Sequence, residues 1–230
     1  MISTPGIVLH TTPYGDTSVI VKVFTRMLGV RSYIIKGVRG RNAKVKQNLL
    51  QPLSCLDMVV YDNPKTELNY VKELSTRGVN YEATPVESAL RFFMTEVLYK
   101  SLQEAEPMPA LFDYVDSINS QFSITNSQLP IVFLLTVSRH LGIEPLDNYC
   151  PREALFDLQE GRYVSSATET TLSPSQSEML HEYLASHELS HGAPLQSRRA
   201  LIDSLLAYYQ LHLSGFRNFT SHEILHTILR

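Results

Sequence analysis

Ser18 to Thr25 reads SVIVKVFT, and its alternation decides how the first third of the chain is built. Side chains in an extended strand point to opposite faces in turn. Val19, Val21, Val23 and Thr25 therefore share one face, while Lys22, Phe24 and the following Arg26 share the other. The valine face asks for a core, and the opposite face presents an aromatic ring flanked by two cations. On the amino-terminal side, GIVLHTT (6–12) is a similar run, bounded by Pro13-Tyr14-Gly15. On the other side, VRSYIIKG (30–37), CLDMVVY (55–61) and ELNYVKEL (67–74) follow, punctuated by Leu28-Gly29, Gly37 and Asp62-Asn63-Pro64. Five strands between Gly6 and Thr76 are too few for a sandwich with two covered faces. They fit a small closed or nearly closed barrel such as the oligonucleotide-binding (OB) fold, with a three-stranded sheet and irregular flanks as the competing arrangement.

The charge of this region is uneven. From Thr17 to Leu56 there are eight Lys or Arg and no Asp or Glu, although the whole chain has a formal net charge of -3. The cations are Lys22, Arg26, Arg31, Lys36, Arg39, Arg41, Lys44 and Lys46, interleaved with Phe24 and Tyr33. An ordinary solvated surface mixes both signs. Cations and aromatics on a small β scaffold are the chemistry of binding a single-stranded nucleic acid: the cations neutralise phosphates, and an exposed Phe24 or Tyr33 stacks on bases. The segment 37–48, GVRGRNAKVKQN, is rich in turn formers and cations, and reads as a loop that follows a phosphate backbone. Residues 1–80 carry eleven basic against five acidic side chains and residues 81–230 nine against eighteen, a change from +6 to -9. Two domains with different partners are expected, 1–80 and 81–230.

After Thr76 the hydrophobic period becomes helical. Thr84-Pro85-Val86-Glu87 combines an N-cap residue, a proline at the first helical position and a glutamate at the third, and the apolar residues then recur three and four apart to Leu102. Helices are also expected over 111–122, over 129–141 as a buried central element, from 173, over 198–213 and over 221–229. Residues 145–172 interrupt the series with an inserted hairpin, ALFDL and RYVS joined by Glu160-Gly161. The fold class is therefore α+β, a five-stranded barrel followed by an all-α domain with a small insertion.

Other chemistries find little support. Cys55 and Cys150 are too few and too far apart for a disulfide framework or a cysteine zinc site. Walker A, G-x-S-x-G and G-x-G-x-x-G patterns are absent, and Cys150 has no identifiable base. The amino terminus lacks a secretory pattern, and the apolar stretch Leu129–Val137 falls short of the roughly 20 residues a bilayer requires, so a cytoplasmic location is expected. Two H-E-x-x-H matches, His187–His191 and His222–His226, raise the alternative of a zinc metallohydrolase, with His212 or Glu178 as third ligand. The first runs into Gly192-Ala193-Pro194, and the second leaves only Thr227 to Arg230 beyond its last histidine, so helix-surface histidines are the expected reading. A protein-interaction scaffold, its basic segment docking an acidic partner, is the third possibility.

GIVLHTTPYGDTSVIVKVFTRMLG, followed by YIIKGVRG and the basic run to LLQPLS, resembles the RecO family of bacterial recombination mediators. The resemblance is carried by Pro13-Tyr14-Gly15, Asp16, Thr17-Ser18, Phe24-Thr25-Arg26, Gly29, Lys36-Gly37 and Arg39, and continues as pattern and order through the helical half. It implies an OB-fold domain and a helical domain with a zinc-knuckle-like insertion. It further implies a non-enzymatic protein that binds single- and double-stranded DNA, anneals strands and helps load recombinase onto strands coated with single-stranded DNA-binding protein. RecR and the acidic carboxyl-terminal tail of that binding protein are the implied partners, and a nucleoid-associated location follows. A helical groove with a cation such as Arg91, Lys100 or Arg139 is expected to take the tail's carboxylate. Many relatives carry two C-x-x-C pairs in the insertion. With only Cys150 here, no zinc is expected, and packing by Leu155, Phe156, Leu158 and Tyr163 is expected to hold the hairpin.

Overall fold

The computed structural model describes residues 1–38, 47–63, 65–77, 83–102, 106–120, 128–186 and 194–228. Strands β1 (Ile2–Tyr14), β2 (Ser18–Thr25), β3 (Gly29–Ile35), β4 (Cys55–Tyr61) and β5 (Leu68–Thr76) close into a barrel in the order β1-β2-β3-β5-β4. The three-stranded alternative is thereby set aside. The long β1 makes closure possible: its first half pairs with β4 from Ile2 opposite Val60, and it continues along β2 to Tyr14 opposite Ser18. A register shift between Val8 and His10 bends it from one neighbour to the other. The last seam is parallel, with Ser32, Tyr33 and Ile34 of β3 beside Leu68, Asn69 and Tyr70 of β5.

The valine face of β2 is the inner face. Val19, Val21 and Val23 are fully buried with Val8, Tyr33, Ile35, Leu56, Met58 and Val60. Packing there is tight enough to require a glycine in β1: a Cβ on Gly6 would lie 2.6 Å from Val23 Cγ1 and 2.9 Å from Met58 Sδ. Val, Ile and Tyr are stiff, broad side chains that suit a pleated wall, and closure removes the unpaired edges that two open strands would leave.

Among the described residues six helices follow: α1 (Pro85–Ser101), α2 (Pro109–Ser120), α3 (Leu129–His140), α4 (Pro174–Ser186), α5 (Leu195–His212) and α6 (Ser221–Ile228). The expected start of α1 is a capping box, in which the Glu87 amide donates to Thr84 Oγ1 at 3.2 Å and the Thr84 amide donates to Glu87 Oε2 at 2.7 Å. Two compact units result, Met1–Phe122 and Ser123–Arg230. The first joins α1 and α2 to the barrel. Periodicity changes near residue 80, but contacts extend the barrel's unit further, because the outer surface of β2 is apolar at Phe24 and α2 covers it with Phe112, the ring centroids 5.6 Å apart.

In the second unit α3 is buried at Ile131, Phe133, Leu134 and Val137, and Tyr209 of α5 donates its hydroxyl hydrogen bond to the Leu134 carbonyl at 2.5 Å. The inserted hairpin is β6 (Leu155–Asp157) paired with β7 (Arg162–Val164), turning at Gly161 with φ +69°. Among the described residues no helix is long and apolar enough to cross a membrane.

Candidate nucleic-acid interface

The outer barrel surface is where alternation sends Lys22 and Lys36. The Lys22 ammonium lies 5.0 Å from the centroid of the Tyr99 ring of α1, and the Lys36 ammonium lies 5.3 Å from that of Tyr70 on β5. Ring faces hold both cations without neutralising them. Arg26 is tied more firmly: its Nε and Nη2 donate to the two carboxylate oxygens of Asp113 on α2 at 2.7 and 2.9 Å. This two-pronged bond raises the Arg26 guanidinium above its usual range and holds the Asp113 carboxyl below its own. Arg31 has the parity of Tyr33 and Ile35, and so turns toward the end of the barrel interior, where its Nε stands 3.6 Å from Asp62.

Two aromatic assignments need correction. Phe24 does lie on the outer face of β2, yet it is fully buried because Phe112 caps it. Tyr33 is fully buried on the inner face, and burial drives its hydroxyl pKa upward. Neither ring can stack on a base. Strand alternation identified Phe24's face correctly, but a helix from later in the chain decided whether that face met water. Arg39, Arg41, Lys44 and Lys46 lie outside the described residues.

The exposed aromatics of the barrel are elsewhere. Tyr61 and Tyr70 face each other across β4 and β5, 50% and 49% exposed, and Tyr14 at the end of β1 is 50% exposed. Tyr61 ends β4 and Tyr70 is the third residue of β5, so the pair emerges only from the register of the two strands.

Of the three cations assigned to partner binding, Arg91 donates to Asn119 Oδ1 at 2.5 Å, and Asn119 in turn donates to the Leu53 carbonyl at 3.0 Å. That chain of bonds ties α1 and α2 to the barrel, and burial lowers the Arg91 pKa. Lys100 pairs with Glu96 one turn back at 3.5 Å. Arg139 stands at the rim of a small pocket lined by Val132, Leu135, Thr136, Tyr183 and Leu184, where it binds Glu144 at 2.6 Å. Arg139 thus stands beside a partly apolar hollow.

The insertion is built around carboxylate and amide groups. Asp157, 2% exposed, accepts hydrogen bonds from Thr168 Oγ1 at 2.5 Å, Thr170 Oγ1 at 3.0 Å and the amides of Gln159 at 2.8 Å and Glu160 at 2.9 Å. Burial works against this charge, but the threonine hydroxyls and the two amides outweigh it and hold the Asp157 pKa below the usual aspartate value. Asn148 pairs with the backbone of Tyr163 like a neighbouring strand, donating to its carbonyl at 3.0 Å and accepting from its amide at 2.8 Å. Phe156 and Tyr163 are fully buried, and Leu155 and Leu158 are half-buried. Donors directed at a carboxylate are the wrong set for a cation. Zinc does not fit these residues, and no group of three His, Cys, Asp or Glu among the described residues is arranged to hold a metal.

The first H-E-x-x-H match lies outside the described residues. The second spans α6, where the His222 and His226 rings stand 5.8 Å apart and nearly perpendicular, and Glu223 is exposed. Burial lowers the His226 pKa. The suggested third ligands stand apart from this pair: His212 is bonded to the Leu158 carbonyl, and Glu178 is exposed on α4.

Comparison with known proteins bears on both units. A family model described as recombination protein O N terminal matches residues 1–79, and one described as recombination protein O C terminal matches residues 84–220. A DNA repair protein RecO from Christiangramia forsetii is 29% identical over 240 residues, covering 99% of each chain. Relatives of the same name from Phocaeicola vulgatus and Bacteroides fragilis are each 31% identical, with 96% of each chain covered.

Proposed function

The chain belongs to the recombination protein O family, and from that membership we propose that it is a DNA-binding and strand-annealing mediator of recombinational repair. It holds DNA on the barrel through Lys22, Arg26, Lys36 and the basic segment with Arg39, Arg41, Lys44 and Lys46. It takes single and double strands, brings complementary strands together and helps load recombinase onto DNA coated with single-stranded DNA-binding protein. The observation that carries this reading is the coincidence of the acid-free stretch with two strands of a closed barrel and the segment that follows them. Two strands of DNA repel each other, and a cationic surface screens that repulsion.

The second unit supplies the protein contacts in this proposal, with RecR and the acidic tail of the single-stranded DNA-binding protein as partners. The pocket beside Arg139 suits an apolar side chain followed by a carboxylate, which would replace Glu144 on the guanidinium. None of these steps needs chemistry performed by the chain itself, and the place of action is the cytoplasm, at the nucleoid.

The deciding experiment is strand annealing by the purified protein with no partner present. Acceleration over the spontaneous rate is expected, falling as salt rises. An Arg39→Glu, Arg41→Glu double variant should lose affinity for single strands and flatten the salt dependence. An unchanged affinity and slope would remove the basic segment from the interface, and absence of annealing would leave an interaction scaffold.

A further inference from the structure

We propose that Tyr61 and Tyr70 form a platform on which unpaired bases stack, which makes the β4–β5 side of the barrel the part that distinguishes single-stranded from double-stranded DNA. This rests on the reading of the barrel as a DNA-binding domain and names which of its residues take the bases.

The two residues are directly opposite in an antiparallel pair, so their side chains leave the same face of the sheet as neighbours. Both rings are about half exposed, whereas Tyr33, Tyr163, Tyr183 and Tyr209 are among the largest fully buried side chains. A tyrosine serving the core is covered in this protein, and this pair is not. Leu68, two positions before Tyr70 on the same face of β5, is also exposed.

Asn69, 3% exposed, accepts from the Asn63 amide at 2.8 Å and from the Thr66 hydroxyl at 3.2 Å, which ties these two residues to the start of β5 between the tyrosines.

With the barrel taken as the DNA-binding domain, a cation beside these rings suits a nucleic acid. The Lys36 ammonium stands over Tyr70, and it is the last described cation before the segment that carries Arg39, Arg41, Lys44 and Lys46. A strand whose bases lie on Tyr61 and Tyr70 therefore has a phosphate within reach of Lys36. Of the acids on this hairpin, Asp62 is engaged by Arg31 and Glu73 by Lys72, while Glu67 in the turn is exposed. The face of a base is accessible only when the base is unpaired and unstacked, so a tyrosine platform discriminates against duplex.

The chain contains no tryptophan, so a Tyr70→Trp variant reports on this position alone. Its fluorescence is expected to be quenched by oligothymidylate, and not by an abasic oligonucleotide of equal length. Tyr61→Ala and Tyr70→Ala should each weaken oligothymidylate binding roughly tenfold while leaving abasic and duplex affinities unchanged, and Phe at either position should restore binding. Thermal melting of each variant separates loss of binding from loss of fold. If the unaltered chain binds both single strands but the alanine variants bind oligothymidylate as tightly as it does, or the Tyr70→Trp signal responds equally to the abasic strand, the platform is overturned and DNA binding stands. If the unaltered chain binds neither strand, both readings fall.

Discussion

The barrel of β1 to β5 and the hairpin of β6 and β7 meet the same demand, covering apolar side chains and pairing the backbone of short strands, by opposite means. In the barrel, closure gives every strand two neighbours and one shared interior, which Val19, Val21, Val23, Tyr33, Leu56, Met58 and Val60 fill without a polar partner. Two strands of three residues cannot enclose anything. The hairpin instead sets Phe156 and Tyr163 against each other and gathers its loops onto Asp157 and Asn148 by hydrogen bonds. The contrast shows how a buried carboxylate supplied with enough donors ties several loop segments to one point, as a cation with several ligands does.

The largest test of this contrast is removal of a barrel aromatic. Tyr33→Ala or Phe24→Ala should cost about 3–5 kcal/mol in denaturant unfolding of the first unit, with DNA affinity of the folded fraction unaltered. A selective loss of affinity without destabilisation would return these rings to the interface. Asp157→Ala comes next, at about 2–3 kcal/mol and confined to the second unit, because two hydroxyls and two amides lose a charged acceptor.

Acid should act on the same residue. Its folded pKa lies below the ordinary aspartate value of 3.8, so its contribution is complete above that value and is lost as pH falls through the folded pKa. Melting temperatures followed below pH 4 should therefore decline less steeply for Asp157→Asn than for the unaltered chain. Gly6→Ala should cost about 1–3 kcal/mol by crowding Val23 and Met58; a neutral result would mean that the barrel interior yields where the distances say it is full. The smallest effect is expected from metal removal: a chelator, or Cys150→Ser, should leave the melting of the second unit unchanged. A clear drop with either would put a cation back in the hairpin.

Much of this arrangement was legible in the chain. All five strands and the cap of α1 follow from alternation, turn residues and the Thr84-Pro85-Val86-Glu87 signature, because these depend on neighbours within a few positions. The inward face of β2 was legible for the same reason. The fate of Phe24 was not, since Phe112 lies 88 positions later. Arg31 was counted among the phosphate-binding cations although its parity matches Tyr33, and Tyr61 and Tyr70 were passed over because their pairing depends on the register between β4 and β5. In the hairpin, both strands and their apolar residues were read correctly. The role of Asp157 depends on Thr168 and Thr170, which the sequence leaves looking like ordinary loop residues.

By itself, then, the sequence determined the order and type of the elements, the family and the concentration of positive charge in one stretch, all properties of local pattern. The tertiary structure alone decided which aromatics are covered, which cations have carboxylate partners and which donors gather on Asp157 in the insertion. Those outcomes rest on groups far apart in the chain, whose burial and hydrogen bonds exist only once the barrel has closed and the helices have packed.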